Sequence, residues 1–378
     1  MANHQFHRQL QAGISRWLKS GEKCGFVELD SQVAVLSSVL GKRSDNQDRI
    51  VFLRVKFEKP QKPSMVALVL CDGMGGMVSG SDCADLAIST FVASLVHSNA
   101  SVLTEKVEVA VRDANQAVYN TFKGEGGTTL SAVVCNEINQ WAAINVGDSR
   151  IYAVFNSGLI EQLTVDDTLE QQLINLNLPS PPPEFRQLIQ YIGMGEELQP
   201  RKIELNKYLS EMKWFLITSD GAHNLPNDIF TTLIKKSKNP RDAVSRLIEL
   251  SEWLGGRDNA TAGTLLVQDN LFSNSEALES FLEIWSLPGK IQFLILKPLP
   301  TEIQENGLST IMDYNGSKTG ESIQDEEVPK NKKSPRKKNQ SNIPKSESKG
   351  KKYNPKNAVT GELNKSIPQL NVEFSEEN

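Results

Sequence analysis

The segment of residues 68–87 constrains this chain more strongly than any other. An apolar run at residues 66–70 predicts a buried strand that stops at Asp72 and a glycine-rich turn, and an amphipathic helix is predicted to begin near Ser81. A carboxylate at a strand end, beside glycines that let the backbone approach a ligand, is typical of hydrolytic metal sites. The same Asp and Gly residues are also common in ordinary turns that bind no ligand. The motif therefore needs support from other strand ends.

Composition favours a soluble globular protein with one large domain or two small ones, since the 378 residues are 39% apolar and 23% charged. A net charge of −5 gives no general reason to expect nucleic acid or an anionic membrane as partner. The four cysteines lack metal-site spacing and predict reduced thiols. We see no apolar run that suits a signal peptide or a membrane span, and we therefore expect a cytoplasmic protein.

Hydrophobic periodicity divides the first half of the chain into short elements. An amphipathic helix is predicted within residues 1–30, strands at 33–40 and 50–57, and helices at about 81–97 and 104–123. Four short apolar runs between residues 130 and 164 predict an antiparallel meander, because their connections are too short for helical crossovers.

The second half repeats the pattern of an apolar strand followed by Asp-Gly. A helix with an Asp or Thr cap is predicted between residues 166 and 176, and the prolines of residues 179–185 predict a loop. A strand precedes Asp220, helices follow at about 226–236 and 240–254, and a last strand ends the predicted domain, residues 31–269.

The C-terminal segments are less informative. Residues 270–299 carry enough apolar side chains for a helix and a strand, with no readable role. Beyond residue 300, Lys, Ser, Asn, Glu and Pro predominate, which predicts a disordered tail. A basic cluster at residues 330–338 indicates either a solvated tail or contact with an acidic partner or, as a weaker alternative, nucleic acid.

Acidic residues recur at strand ends beside glycine, asparagine or arginine: Asp48, Asp72, Asp220 and Asp258. Buried together, these carboxylates would repel one another unless divalent cations neutralised them. Two such ions can activate a water for attack on phosphorus, and oxygen ligands point to Mg²⁺ or Mn²⁺ rather than zinc. Arg43 could clamp a phosphoryl group bidentately; alternatively it forms a surface ion pair with Asp45 or Asp48.

Six motifs in order along the chain resemble the metal-dependent serine/threonine protein phosphatases of the PP2C (PPM) family, bacterial type. They are R-x-x-N-Q-D (43–48), D-G-M-G-G (72–76), G-T-T (127–129), G-D-S-R (147–150), S-D-G (219–221) and D-N-A-T (258–261). The resemblance spans about residues 33–269. It implies an α+β fold in which two antiparallel sheets form a sandwich flanked by helices, with a binuclear metal centre at one end.

The resemblance also implies residue roles. Asp72 would bridge two metals, to one of which the Gly73 carbonyl contributes, and Arg43 would bind the substrate phosphate. Further metal ligands would be Asp220 and Asp258 on the other metal, Asp148 on a third, weaker one, and Asp48 as a direct or water-mediated ligand. Thr128 and Asn259 would support the site without touching substrate. His223, close behind Asp220, has no matching His partner, and we interpret it as packing or outer support.

Three positions depart from the family pattern. Gln47 stands where many relatives have Glu, which could weaken the second metal. Met74 replaces the His of many eukaryotic members and cannot donate a proton, so protonation would fall to a metal-held water. Asp166-Asp167-Thr168 stands where bacterial members often read Asp-His-Ser, which puts His-dependent behaviour of that flap in doubt.

The sequence thus supports two hypotheses. The first is hydrolysis of phosphoserine and phosphothreonine on proteins through Mn²⁺ or Mg²⁺, without a covalent phosphoenzyme. Its implied partners are phosphorylated proteins and a Ser/Thr kinase. The second, motivated by Gln47 and Asp167, is a phosphatase-like regulatory module that binds phosphoproteins with little or no turnover.

Overall fold

The computed structural model describes residues 2–29, 32–58, 62–75, 77, 79–178, 187–205, 209–268, 271–272 and 280–295, with side chains from residue 7 onward. All of them lie in one compact unit, residues 1–309. The predicted loop at 179–185 and the predicted tail beyond residue 300 fall outside the described residues. Within the described part, no helix is both long and apolar enough to cross a membrane.

The chain forms two antiparallel sheets with helices on their outer faces. The helices are α1 (Ala2–Ser20), α2 (Gly80–His97), α3 (Leu103–Phe122), α4 (Leu169–Asn175), α5 (Asp220–His223), α6 (Asn227–Lys235) and α7 (Pro240–Trp253). The strands are β1 (Gly25–Glu28), β2 (Ala34–Val39), β3 (Asp48–Lys56), β4 (Met65–Asp72), β5 (Leu130–Asn136), β6 (Trp141–Val146), β7 (Arg150–Phe155), β8 (Ile160–Gln162), β9 (Arg201–Ile203), β10 (Met212–Thr218), β11 (Ala260–Leu266), β12 (Phe281–Ser286) and β13 (Gly289–Leu294).

The first sheet has the strand order β1-β2-β11-β10-β7-β8, and the second has β13-β12-β3-β4-β5-β6-β9. The sheets face each other, and β4 shows how one strand serves two cores. Val66, Leu68 and Leu70 point into the core between the sheets, whereas Ala67 and Val69 pack with α2 and α3 on the other side. This period-two alternation buries both faces of β4, which is why the strand is apolar throughout.

The outer layers follow the amphipathic helices predicted from the sequence. On the second sheet, α2 and α3 pack side by side, and α1 lies on α2. In α1, Leu10, Ile14 and Leu18 are buried at i, i+4 and i+8 spacing, so this helix is part of the described core. On the first sheet, α6 and α7 cover the opposite face through residues such as Phe230 and Leu247. The predicted two-sheet sandwich flanked by helices is confirmed.

The segment after residue 269 differs from its predicted description. Instead of a helix and a strand, its described part is the hairpin β12–β13, which adds two strands to the second sheet by pairing with β3. Its side chains alternate: Leu282 and Ile284 are fully buried, while Trp285 stacks against Phe52 on the other face. The sheet therefore continues past the boundary predicted at residue 269. The alternation of buried and less buried side chains is typical of a strand and not of the predicted helix.

The predicted meander also divides between the sheets. Strands β5 and β6 pair in the second sheet, and β7 pairs with β8 and β10 in the first. The chain crosses at Gly147, whose φ of +100° lies in the left-handed region that glycine adopts readily. Asp148 stands in this crossing, so the change of sheet places a carboxylate at the end of the sandwich.

Hairpin β12–β13 should contribute to global stability. We expect Ile284→Ala to lower the free energy of unfolding by about 2–5 kcal/mol, because its fully buried side chain would leave a cavity. The matched change Ile138→Ala, at a side chain that is 61% exposed, should cost no more than about 0.5 kcal/mol. Chemical denaturation monitors both variants, and equal, small losses would show that the hairpin is not part of the cooperative core.

Candidate metal centre

Carboxylates from both sheets meet at one end of the sandwich. Asp48 begins β3 and Asp72 ends β4, and the two stand directly opposite each other in the strand register. Asp220 follows β10, and Asp258 precedes β11, the neighbouring strand. Burial raises the pKa of Asp72 well above its usual range, and the nearby charges of Asp48, Asp220, Asp148 and Asp258 raise it further. The fold thus brings together all the acidic residues predicted from the sequence.

Asp48 has an unsatisfied oxygen. Its side chain is buried, and Oδ2 accepts a hydrogen bond of 2.8 Å from the Ser219 hydroxyl. Oδ1 is buried without a hydrogen-bond partner among the described residues. Burial raises the pKa of Asp48 to about 6, although the hydroxyls of Thr261 and Ser219 act in the opposite direction. A buried carboxylate oxygen with no donor is costly, and a cation or its hydrating water would satisfy it.

Backbone contacts fix the end of β4. The Asp72 amide donates to Thr129 Oγ1 at 2.9 Å, and its carbonyl accepts from Thr128 Oγ1 and from the Thr129 amide, each at 2.8 Å. Gly73 then passes so close to the backbone of Gly80 that a Cβ would collide with the Gly80 carbonyl. Any larger residue at position 73 would therefore displace the start of α2, and Thr128 contacts the backbone of Asp72 as its proposed supporting role requires.

Asp148 and Asp220 also have raised pKa values. Burial is the main cause in both, with the charge of Asp220 helping to raise the pKa of Asp148 to about 7. The charge of Asp258 adds to the raised pKa of Asp220, while the Gly221 amide counteracts it. Neighbouring carboxylates thus disfavour one another's ionised forms, as expected of a site that needs cations.

The structure gives Arg43 a different partner from the two considered in the sequence. Its Nη2 donates to Asp258 Oδ2 at 2.6 Å. Asp45 instead pairs with Lys23 at 2.8 Å, and Asp48 is buried against Ser219. The predicted alternative of a surface ion pair with Asp45 or Asp48 is therefore wrong. The reason is topological, since β2 and β11 are neighbours and the loops after β2 and before β11 meet.

Asn259 holds the loop that carries Arg43. Its Oδ1 accepts from the Gln47 amide at 2.9 Å, and its Nδ2 donates to the carbonyls of Leu40 at 2.9 Å and Asp45 at 3.1 Å. One buried amide side chain thus makes three hydrogen bonds across the two loops. These contacts hold the two loops together, and the role of Asn259 in supporting a metal site stays a prediction.

A buried ion pair beneath the site was not recognised in the sequence. Arg49 and Asp85 are 4% and 1% exposed, and Arg49 Nε donates to Asp85 Oδ1 at 2.7 Å. Arg49 also donates to the carbonyls of Asn46 at 2.8 Å and Asp48 at 2.7 Å, which ties the first motif to α2. The signal was present, because Arg49 directly precedes the apolar run of β3 and Asp85 interrupts the apolar face of α2.

The flap motif is held by charges rather than by a histidine. Asp167 is fully buried and accepts from Arg201 Nε at 2.6 Å, Gln190 Nε2 at 3.1 Å and the Gly147 amide at 3.1 Å. Asp166 pairs with Arg150 at 2.7 Å, and Thr168 caps α4 by accepting from the Gln171 amide. The cap confirms the Thr alternative predicted for this helix.

His223 is a packed side chain. It is buried, its Nδ1 lies 2.9 Å from the Thr218 hydroxyl, and burial, with Arg150 nearby, holds its pKa well below the usual value. A neutral imidazole bonded to a strand hydroxyl agrees with the packing interpretation.

The donor set suits Mg²⁺ or Mn²⁺, since it consists of carboxylate oxygens with one lacking a partner. In the described residues, however, no three His, Cys, Asp or Glu side chains are arranged as a group that could hold a metal ion. Part of the reason is visible at Asp258, one of whose oxygens is taken by Arg43. The carboxylates lie close enough for their charges to raise the pKa of Asp72, but they are not arranged as a coordination sphere.

Sequence comparisons find bacterial phosphatases, although no family model matches the chain. The serine/threonine protein phosphatase PstP of Mycobacterium tuberculosis is 30% identical over 226 residues, which are 56% of this chain and 42% of PstP. The chain therefore spans less than half the length of that relative. A putative protein phosphatase 2C-type of Streptococcus pyogenes is 27% identical over 248 residues, 61% of this chain and 95% of the relative.

Solved structures agree with this similarity. The serine/threonine phosphatase of S. agalactiae superposes with a TM-score of 0.52 at 27% identity, covering 62% of this chain and 99% of its own. The M. tuberculosis phosphatase PstP/Ppp gives a TM-score of 0.50 at 25% identity, covering 62% of this chain and 98% of its own. The aligned part of the chain thus corresponds to nearly the whole of each solved domain.

The Arg49–Asp85 pair should be essential to stability. We expect Asp85→Ala to cost about 3–5 kcal/mol of unfolding free energy, because a buried guanidinium would lose its counter-charge. Asp82→Ala on the same helix breaks a pair with Lys19 whose side chains are 46% and 48% exposed, and it should cost at most about 1 kcal/mol. Urea denaturation compares the two, and similar losses would contradict the role of the buried pair.

The acidic cluster should make the metal-free protein less stable as pH rises. The folded-state pKa of Asp148, about 7, exceeds the ordinary value of 3.8, so the folded protein holds this proton more tightly and its advantage is lost as pH rises through 7. His223, with a lowered pKa, acts in the opposite sense below about pH 6.5, which makes pH 6.5–8 the informative window.

In EDTA at pH 8 we therefore expect Asp148→Asn to stabilise the fold by about 1–3 kcal/mol, and this gain should shrink as the pH falls to 6.5. Asp45→Asn is the control, because pairing with Lys23 lowers the pKa of Asp45 and its loss should not stabilise. Mn²⁺ should reverse the pH trend of the unmodified protein, since ligands bind metal when deprotonated. A gain for Asp148→Asn that does not depend on pH would contradict this account.

Proposed function

We propose that this chain belongs to the bacterial PP2C-type serine/threonine phosphatases and is a metal-dependent phosphatase that hydrolyses phosphoserine and phosphothreonine on proteins. The observation that carries the proposal is the meeting of five acidic residues and one arginine at a single end of the sandwich, where the charges of four aspartates help to raise the pKa of Asp72. Carboxylates recruit cations and arginine recruits phosphate, and here the two kinds of group lie in contact.

Mn²⁺ or Mg²⁺ would be held by Asp72, with the Gly73 carbonyl, and by Asp220 and Asp258, with Asp48 as direct or water-mediated ligand and Asp148 at a third ion. When bound, two such ions would supply an activated water and neutralise charge on the phosphoryl group. The orphan oxygen of Asp48 and the raised pKa of Asp72 support this assignment.

Arg43 would bind the substrate phosphate. Its side chain is 46% exposed, so the guanidinium reaches solvent while it contacts the acidic cluster. A Cβ at Gly75 would lie 2.9 Å from Arg43 Nη1, and glycine at this position leaves space beside the guanidinium. A planar guanidinium can hold two phosphate oxygens at once, which would orient the phosphorus atom over the carboxylates.

In the described part of the chain, the cysteine beside the site is not available as a nucleophile. Cys71, next to Asp72, is fully buried, and burial raises the pKa of its thiol well above the usual value. A buried neutral thiol is a poor nucleophile. This supports direct attack by water rather than a covalent phosphoenzyme.

Met74 supplies no proton to the leaving alkoxide. Its amide donates to the Gly127 carbonyl at 3.0 Å, which fixes the turn, and its thioether lies against Gly127. Protonation of the leaving group would therefore come from solvent at the site, not from this side chain.

A second candidate is a phosphoprotein-binding module with little turnover. Its support is Gln47, a neutral side chain placed against Gly75 and Gly80 where many relatives carry a carboxylate. In both candidates the partners are phosphorylated proteins and the Ser/Thr kinase that phosphorylates them.

The tail could tether the protein to an acidic partner, and deleting residues 300–378 should then weaken capture of that partner without changing small-substrate turnover.

Phosphate release from a phosphothreonine peptide separates the candidates. We expect release with Mn²⁺ or Mg²⁺ and none in EDTA, and Asp220→Asn should lower turnover at least about 100-fold, because a ligand to the metal is lost. Asp228→Asn, an exposed aspartate on α6, is the matched control and should retain full activity. Phosphopeptide binding without release under any metal would reject the enzyme and favour the binding module.

A further inference from the structure

The contact between Arg43 and Asp258 joins two residues to which the proposed function gives separate tasks. Arg43 Nη2 lies 2.6 Å from Asp258 Oδ2, and the remaining oxygen, Oδ1, accepts from the Asn259 amide at 2.8 Å. Both oxygens of Asp258 are thus engaged by donors of the protein.

The guanidinium is also placed over the cluster as a whole. The hydrogen bond and charge of Asp258 raise the pKa of Arg43, and the charges of Asp220 and Asp72 raise it further. The positive charge of Arg43 therefore lies in the region of negative potential that would attract a divalent ion. Two cations that share one carboxylate oxygen repel each other, so a metal that takes Asp258 must loosen its contact with Arg43.

We infer that Arg43 and a divalent cation compete for Asp258 Oδ2, so that metal binding releases the guanidinium to take the substrate phosphate. The inference rests on the proposed function, because it assumes that Asp258 is a metal ligand and Arg43 a phosphate ligand. It adds a coupling between the two ligands: phosphate meets a free arginine more often once the metal has bound.

The competition also works in reverse. A phosphate that draws Arg43 away from Asp258 frees a carboxylate oxygen for the metal, and linkage requires each ligand to strengthen the other by the same factor. The size of the effect is limited by exposure, since the side chains of Arg43 and Asp258 are 46% and 34% exposed. A pair of this kind should change metal affinity by roughly two- to fivefold.

The test is titration of Mn²⁺ into the full chain by calorimetry, in a buffer without phosphate, for the unmodified protein, Arg43→Ala and Lys42→Ala. Removing Arg43 should tighten Mn²⁺ binding roughly two- to fivefold, because its competition for Asp258 is gone. Lys42 is an exposed cation one residue away, and Lys42→Ala removes the same charge without touching Asp258. Its Mn²⁺ affinity should stay within the error of the unmodified protein.

Two results would overturn the inference while leaving the proposed function intact. One is equal Mn²⁺ affinity of Arg43→Ala and the unmodified protein, as expected if Arg43 only binds phosphate. The other is an equal gain in both variants, as expected of a general charge effect. Metal-dependent phosphate release by the unmodified protein is measured alongside; if that protein neither binds Mn²⁺ nor releases phosphate, the proposed metal centre itself is rejected, and the inference with it.

Discussion

The mutual repulsion of buried carboxylates is the constraint on which the rest of this structure depends. Asp72 stands among four other aspartates, and their charges add to burial in raising its pKa. Such a group is stable only if it is protonated or if cations are supplied. The fold carries this cost at the end of the sandwich, where loops from both sheets meet water. Under the proposed function, the cations that would relieve the repulsion are the same ones that would activate water.

A frame of neutral and paired groups keeps the carboxylates in place. Asn259 joins the loops that carry Arg43 and Asp258, and Thr128 and Thr129 hold the backbone of Asp72. The frame is built from amides and hydroxyls, whose hydrogen bonds do not depend on the charge of the cluster. We therefore expect the loop geometry to persist when the ionisation or the metal content of the site changes.

Much of the candidate site could be predicted from the sequence, because each acidic residue adjoins an apolar strand and a glycine, asparagine or arginine. Local pattern is enough to recognise such strand ends at Asp72 and Asp220. Local pattern does not show which distant segments pair with each other. Arg43 and Asp258 are 215 residues apart, and their contact follows from β2 and β11 being neighbours. The same limit explains why the hairpin β12–β13 was not placed in the sheet: its partner, β3, lies far back in the chain.

The most direct test of the account is an anomalous difference map from crystals of the protein grown with Mn²⁺, recorded at the manganese absorption edge. Two peaks should lie within coordination distance of Asp72, with Asp220 and Asp258 among the ligands and the side chain of Arg43 turned away from Asp258, and a third peak, if present, should lie at Asp148. Peaks elsewhere on the surface, or none at saturating Mn²⁺ with the Arg43–Asp258 contact intact, would contradict a metal centre at this end of the sandwich.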